Sequence, residues 1–149
     1  MIMDEFLEIA DNLSVAAAAG TAVLADAIDL DALGQRIGTG EPTLYLVLSV
    51  SEAFVGVGAT VQFRLVSDST DPASTDGTES RHWQSPAIAV ASLTVGQKMI
   101  VPLPSGFPTY ERYLQLQVVT AGATTTAGRI NAFLTPFPDD WRAMPEANS

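Results

Sequence analysis

Hydrophobic and polar residues alternate along several short segments of the chain, most clearly between residues 43 and 51. There, Leu44, Leu46, Leu48 and Val50 occupy every second position. In a β-strand, successive side chains point to opposite faces, so a period of two places these four on one face. The pattern predicts a strand whose aliphatic face is buried.

The same alternation recurs in three later segments of the sequence. The positions expected to face the core are Val61, Phe63 and Leu65, then Leu114, Leu116 and Val118, and finally Ile130, Ala132 and Leu134. Gln115 and Gln117 alternate with the second group, so we expect them on the opposite face of that strand. Gly122 and the threonines at 124–126 separate the last two groups and predict a hairpin turn between them.

Shorter apolar segments, at 23–30, 81–93 and 98–103, add further candidate strands. The total is about seven to eight strands separated by turn signals, which is typical of an antiparallel sandwich or a small barrel. No alternating pattern of helices and strands is present, which argues against a parallel α/β sheet. The sequence therefore predicts an all-β fold.

The expected organisation is one domain with two appendages. Residues 1–20 are predicted to form an N-terminal arm, residues 21–136 the β-sandwich domain, and residues 137–149 an extended C-terminal tail. Within the domain, residues 68–79 are mostly Asp, Ser, Thr, Gly and Pro, a composition that predicts an exposed loop.

The chain is acidic, with a formal net charge of −10 and a pI of about 4.2. A surface of this sign repels nucleic acid phosphates and anionic lipids, so we expect neither as a direct partner. No segment reaches the roughly 18 apolar residues of a membrane span. Asp4 and Glu5 stand where a secretion signal carries positive charge, so we expect synthesis in the cytoplasm.

Residues with catalytic or metal-binding chemistry are few. The chain has no cysteine, and its single histidine, His82, cannot by itself assemble a typical zinc site or a catalytic triad. Asp68, Asp71 and Asp76 share the polar loop, but their spacing is not that of a known calcium loop. We therefore expect no catalytic residue, no metal and no cofactor.

An ordered series of motifs resembles the capsid cement, or decoration, proteins of short-tailed bacteriophages. The series consists of Met1-Ile-Met-Asp-Glu, Gly40-Glu-Pro-Thr-Leu-Tyr-Leu-Val-Leu, Ser85-Pro-Ala-Ile-Ala-Val-Ala-Ser-Leu, Val101-Pro-Leu-Pro, Tyr110-Glu-Arg-Tyr-Leu-Gln-Leu and Ala123-Thr-Thr-Thr-Ala-Gly-Arg-Ile. The resemblance implies a jelly-roll-like domain that forms a homodimer or a trimer. It also implies binding to the major capsid protein on the outer surface of the virion.

Exposed aromatic residues, apolar residues and arginine are typical anchors of protein interfaces. We expect such contacts at the two ends of the chain. The candidate interface residues are Met3, Phe6, Leu7, Ile9, Phe137, Trp141 and Arg142.

Two other functions remain open from the sequence. One is a carbohydrate-binding module, in which Trp83, Tyr110 and Tyr113 would stack on sugar rings. The other is an enzyme, which would require a pocket with convergent polar groups around His82.

Overall fold

The computed structural model describes residues 7–24, 27–30, 43–104, 108–136 and 138, and it confirms the all-β prediction. Within these residues the chain forms ten β-strands and a short 3₁₀ helix, Val90–Ser92, between the seventh and eighth strands. The strands are β1 (Glu8–Ser14), β2 (Gly20–Val23), β3 (Ile28–Asp29), β4 (Tyr45–Val55), β5 (Thr60–Asp68), β6 (Ser80–Gln84), β7 (Ile88–Ala89), β8 (Lys98–Pro102), β9 (Tyr113–Ala121) and β10 (Ala127–Thr135). Among the described residues, no helix has the length and hydrophobicity needed to cross a lipid bilayer.

The strands form two antiparallel sheets that share one core. Sheet I has the strand order β1-β10-β4-β8, and sheet II has the order β2-β9-β5-β6, with β3 paired to β9 and β7 paired to β5. The chain passes repeatedly from one sheet to the other instead of completing each sheet in turn. This arrangement of a four-stranded and a six-stranded sheet is a jelly-roll sandwich.

Aliphatic and aromatic side chains from both sheets fill the space between them. Leu46 of sheet I, and Leu65 and Leu116 of sheet II, are inaccessible to solvent. Phe54 and Phe63 meet edge to face, with ring centroids 6.3 Å apart and an interplanar angle of 84°, a favourable arrangement for aromatic pairs. The inward faces predicted for β4, β5, β9 and β10 are confirmed.

The predicted hairpin between β9 and β10 is wrong. β9 pairs within sheet II, whereas β10 pairs with β1 and β4 in sheet I. Residues 122–126 therefore cross between the sheets. Their hydrogen bonds go to a loop and to a strand end, since the Thr125 N–H donates to the Ala17 carbonyl at 2.9 Å and the Thr126 N–H donates to the carbonyl of Val55, the last residue of β4, at 2.8 Å.

Residues 8–14, which the sequence places in the N-terminal arm, form the edge strand β1 of sheet I. The alternation is hidden because the pairing of β1 with β10 shifts register twice, and because Asn12 adopts a positive φ of 47°. A bulge inserts an extra residue into a strand and interrupts the period of two. Residues 15–19 then lead directly from β1 to β2.

The outer face of sheet II is partly covered by the loop that follows β5. Gln115 and Gln117 lie on this face, as predicted, yet both are fully buried. The Ala73 N–H donates to Gln115 Oε1 at 2.6 Å, and Gln117 Nε2 donates to the Ser74 carbonyl at 2.7 Å. Buried amides need such partners. The loop at 69–79 is thus packed on the sheet through its middle, while its tip is exposed as predicted.

Candidate functional site

A compact polar cluster lies where β5, β6 and the segment before β9 meet. His82 stacks face to face on Tyr110, with ring centroids 3.8 Å apart and an interplanar angle of 4°. Its Nε2 lies 2.7 Å from Ser67 Oγ, which also accepts a hydrogen bond from the Glu111 N–H at 2.9 Å. This geometry fits a serine hydroxyl that donates to an unprotonated Nε2.

Burial keeps both rings of this cluster neutral at ordinary pH. It lowers the pKa of His82 to about 4, against a smaller opposing effect of the Glu111 carboxylate. Burial also raises the pKa of Tyr110 to about 12. In both cases the charged form is disfavoured because it loses hydration.

The serine–histidine pair has the distance of an activated nucleophile but not its accessibility. Ser67 is completely buried, and the ring of Tyr110 covers one face of His82. A nucleophilic serine must reach a substrate carbonyl or phosphoryl group. The Ser67 hydroxyl group instead links β5 to β6 and to the 108–112 segment.

Asp68, at the end of β5, and Asp76, within the 69–79 loop, accept hydrogen bonds from residues of this loop. Asp68 Oδ2 accepts a hydrogen bond from the Ser74 N–H at 2.7 Å, and this bond is the main reason that the pKa of Asp68 is lowered. Asp76 Oδ1 accepts from the N–H of Thr78 at 3.0 Å and from its hydroxyl at 2.6 Å. Within the described part of the chain, no group of three or more histidine or acidic side chains is arranged to hold a metal ion.

The three aromatic residues considered for sugar stacking already have partners within the chain. Trp83 packs against the core. The Tyr110 hydroxyl donates to the Pro104 carbonyl at 2.8 Å, and the Arg112 guanidinium lies 5.0 Å from the ring centroid of Tyr113. The sugar-binding hypothesis therefore gains no support from their positions.

A cavity of about 170 Å³ opens between β8 and the 3₁₀ helix, with Val50, Leu93 and Met99 in its wall. Pockets for small-molecule ligands are typically about 300–1,000 Å³. This cavity is therefore smaller than a usual ligand pocket.

The predicted interface residues fall into two groups. Leu7 and Ile9 are described, and both side chains are buried in the core between the sheets. Neither is available on the surface of the single chain. The predictions for Met3, Phe6, Phe137, Trp141 and Arg142 lie outside the described residues.

The sequence reasoning missed a set of exposed hydrophobic residues. Val57 is 95% exposed, at the tip of the connection between β4 and β5, and Val95 is 65% exposed in the turn before β8. Val55 and Ile100 are exposed to a lesser degree. The sequence carries a signal for Val57 and Val95, because each stands directly before a glycine, a position where turns usually have a polar residue. Both glycines adopt a positive φ in the structure.

A family model described as Bbp16 matches residues 11–134, from β1 to the penultimate residue of β10. The name is of the kind given to bacteriophage proteins, so the match associates the chain with phages. A comparison with curated proteins finds no match.

Proposed function

This chain belongs to the Bbp16 family, and we propose that it is a capsid cement protein. It binds the major capsid protein on the outside of a phage head as a homo-oligomer and holds neighbouring capsid subunits together against the pressure of packaged DNA. It works as a structural component of the virion, without catalysis, cofactor or metal.

The observation that carries this proposal is the family match, which covers nearly the whole sandwich. It associates the chain with phages over the residues that contain most of the motif series, and that series resembles cement proteins in the same order along the sequence. Both point to a phage protein, and the motif resemblance adds the specific role on the head.

The construction of the sandwich supports a mechanical role. Hydrogen bonds connect separate segments at both ends of the molecule. At one end, the Ser67 hydroxyl contacts His82 and Glu111, and at the other, the Thr125 N–H donates to the Ala17 carbonyl. Closely packed interiors have low compressibility and transmit strain. A body of this kind can pass a load from one capsid subunit to its neighbour without deforming.

The net charge supports a position outside the shell. With a formal charge of −10, the chain is repelled by the packaged DNA. On the outer surface, the same charge keeps the particle soluble. Many copies around one shell also add their individual contacts, so each contact can be weak.

The test is to add the purified chain to phage heads that lack it, and to measure co-sedimentation and the temperature at which the heads rupture. We expect saturable binding and a higher rupture temperature. The variant Ile9→Asp, which places a charge in the core, serves as the unfolded control. Absence of binding by the folded chain, or binding that leaves the rupture temperature unchanged, would contradict the cement role.

A further inference from the structure

Four arginines lie in the described part of the chain, and three of them form an ion pair with a carboxylate. The pairs are Arg112–Asp29 at 3.0 Å, Arg129–Glu52 at 3.1 Å and Arg81–Glu79 at 3.5 Å. Arg64 differs, because its side-chain contacts with the described residues are to neutral amides. In a sequence with 17 acidic and 7 basic residues, carboxylates are the abundant partners. The charge of Arg64 is nevertheless not neutralised by a contact within the described chain.

Two glutamine side chains hold the guanidinium group of Arg64 in place. Its Nε donates to Gln84 Oε1 at 3.0 Å, and its Nη2 donates to Gln62 Oε1 at 3.4 Å. Gln62 is itself oriented, since its Nε2 donates to the Ser85 carbonyl at 2.8 Å. A guanidinium group has five N–H donors, and those that the two amides leave have no partner among the described residues. Arg64 is therefore positioned without being neutralised.

Arg81 lies on the same face of the sheet as Arg64. Arg64 of β5 pairs with Gln117 of β9, so its side chain belongs to the outer face of sheet II. Arg81 of β6 is exposed and pairs with Val66, two residues along β5. The Nε of Arg81 faces Glu79, while its two terminal amino groups have no partner among the described residues. The two guanidinium groups therefore border one stretch of surface beside the edge strand β6.

The positive charges dominate locally, although the whole chain is acidic. Burial and the charge of Arg81 lower the pKa of Arg64, and the opposing effect of Glu79 is smaller than that of Arg81. The side chain of Glu79 is only 1% exposed, and its Oε2 accepts the Gly77 N–H at 2.9 Å. The Glu79 carboxylate is thus buried against the 69–79 loop, whereas Arg81 is open to solvent. Two like charges held near each other are stabilised by an anion that contacts both.

The strands beside Arg64 bring no negative charge to this face. The sequence has no acidic residue at 20–23, 53–63 or 113–121. These ranges contain β2, β9 and the first part of β5. Asp68 and Asp76 belong to the far end of β5 and to the loop, where they accept hydrogen bonds from loop residues. An anion beside Arg64 therefore meets no repelling carboxylate from β2 or β9.

We propose that Arg64 and Arg81 form a binding site for an acidic segment of a different protein, with a carboxylate held between the two guanidinium groups. The planar fork of N–H donors in a guanidinium matches the two oxygens of a carboxylate. The position favours a protein segment, because β6 is an edge strand of sheet II and an extended chain can lie along such an edge. The inference goes beyond the cement role, since it assigns a ligand chemistry to this face whichever protein supplies the carboxylate.

The test is the binding of a fluorescently labelled hexaglutamate peptide to the full chain, measured by fluorescence anisotropy. Arg64→Gln removes the charge, and Arg64→Lys keeps the charge but removes the fork. The matched control is Arg129→Gln, because the side chain of Arg129 is 44% exposed, much like the 45% of Arg81, and is already paired with Glu52. A hexaglutamine peptide tests for binding without charge, and circular dichroism verifies that each variant is folded.

We expect the wild type to bind hexaglutamate and Arg64→Gln to raise the Kd by about tenfold or more, because it loses hydrogen bonds between charged groups. Arg64→Lys should lose less affinity than Arg64→Gln, since it keeps the charge. Arg129→Gln should leave the Kd within about twofold of the wild type, because it lies outside the contact. The net charge of −10 repels the peptide from every variant, so nonspecific attraction cannot produce this pattern.

A folded wild type that does not bind hexaglutamate would overturn the inference, as would an equal loss in Arg129→Gln or equal binding of hexaglutamine. Two competitors identify the occupant. Polygalacturonate that displaces the peptide at a lower carboxylate concentration than unlabelled hexaglutamate would assign the site to an acidic polysaccharide. Inorganic sulfate that displaces it as effectively would reduce the site to one for small anions. Either result contradicts a protein partner, and neither bears on the binding of heads, which is measured separately.

Discussion

The buried histidine makes the stability of the sandwich depend on pH in a defined direction. His82 is neutral when folded because burial lowers its pKa to about 4, from an ordinary value of 6.5. The unfolded chain therefore binds more protons than the folded chain between these two values. The stabilisation is complete above pH 6.5 and is lost as the pH falls towards 4.

The size of the effect follows from the same two pKa values. Their difference corresponds to about 3 kcal/mol in the free energy of unfolding, on the scale of about 1.4 kcal/mol for each pKa unit. For a domain of this length, each kcal/mol shifts the melting temperature by about 2–4 °C. Acidification should therefore lower the melting temperature by several degrees through this one residue.

The measurement is urea unfolding at about pH 7 and about pH 4.5, for the wild type and for His82→Phe. Phenylalanine keeps a ring against Tyr110 but cannot take up a proton. The variant loses the hydrogen bond to Ser67, so it should be less stable at pH 7, while its loss on acidification should be smaller than that of the wild type. Because the carboxylates titrate in both proteins, their contribution to the loss of stability cancels when the two proteins are compared. Equal losses in the two proteins would refute the reasoning.

Other predictions concern the loops and the first strand. Gly122→Ala should lower the free energy of unfolding by more than about 1 kcal/mol, because the glycine has a φ of +82° and its Cβ would meet a carbonyl oxygen. The control is Gly77→Ala, since Gly77 has a φ of +94° but open space around it. In the same urea titration, the control should lose less stability. Ile9→Ala should cost about 2–5 kcal/mol if β1 belongs to the core, and a loss below 1 kcal/mol would show that it does not. Gln115→Ala should release the loop held at Ala73 and speed its cleavage in limited proteolysis, without a matching change at other sites.

The sequence predicts those strands whose structure depends on residues that are close together along the chain. Leu46, Leu48 and Val50 follow the pleat of one strand, so their period is visible without knowing what covers them. In β1, the positive φ of Asn12 and the register shifts interrupt that period, and only the pairing with β10 identifies the strand. Local pattern is therefore a guide to regular strands and a poor guide to bulged ones.

Contacts distant in sequence account for the remaining differences. The residues at 122–126 have the composition of a hairpin turn, and nothing local reveals that β9 and β10 belong to different sheets. Gln115 and Gln117 look like solvent-facing residues, and they are buried only because a loop more than 40 positions earlier lies on them.

The way in which the 69–79 loop is fastened has a practical consequence. The Ser74 carbonyl is held by Gln117, and Glu79 Oε2 accepts the Gly77 N–H at 2.9 Å, while the residues between Ser74 and Glu79 are exposed. Exposed loop tips of small polar residues tolerate insertions best. A foreign peptide inserted between Thr75 and Asp76 would stand on a stem with both ends anchored. It would also stand on the outer face of sheet II, where Gln117 holds Ser74, which makes this loop a suitable site for displaying an epitope or an affinity tag.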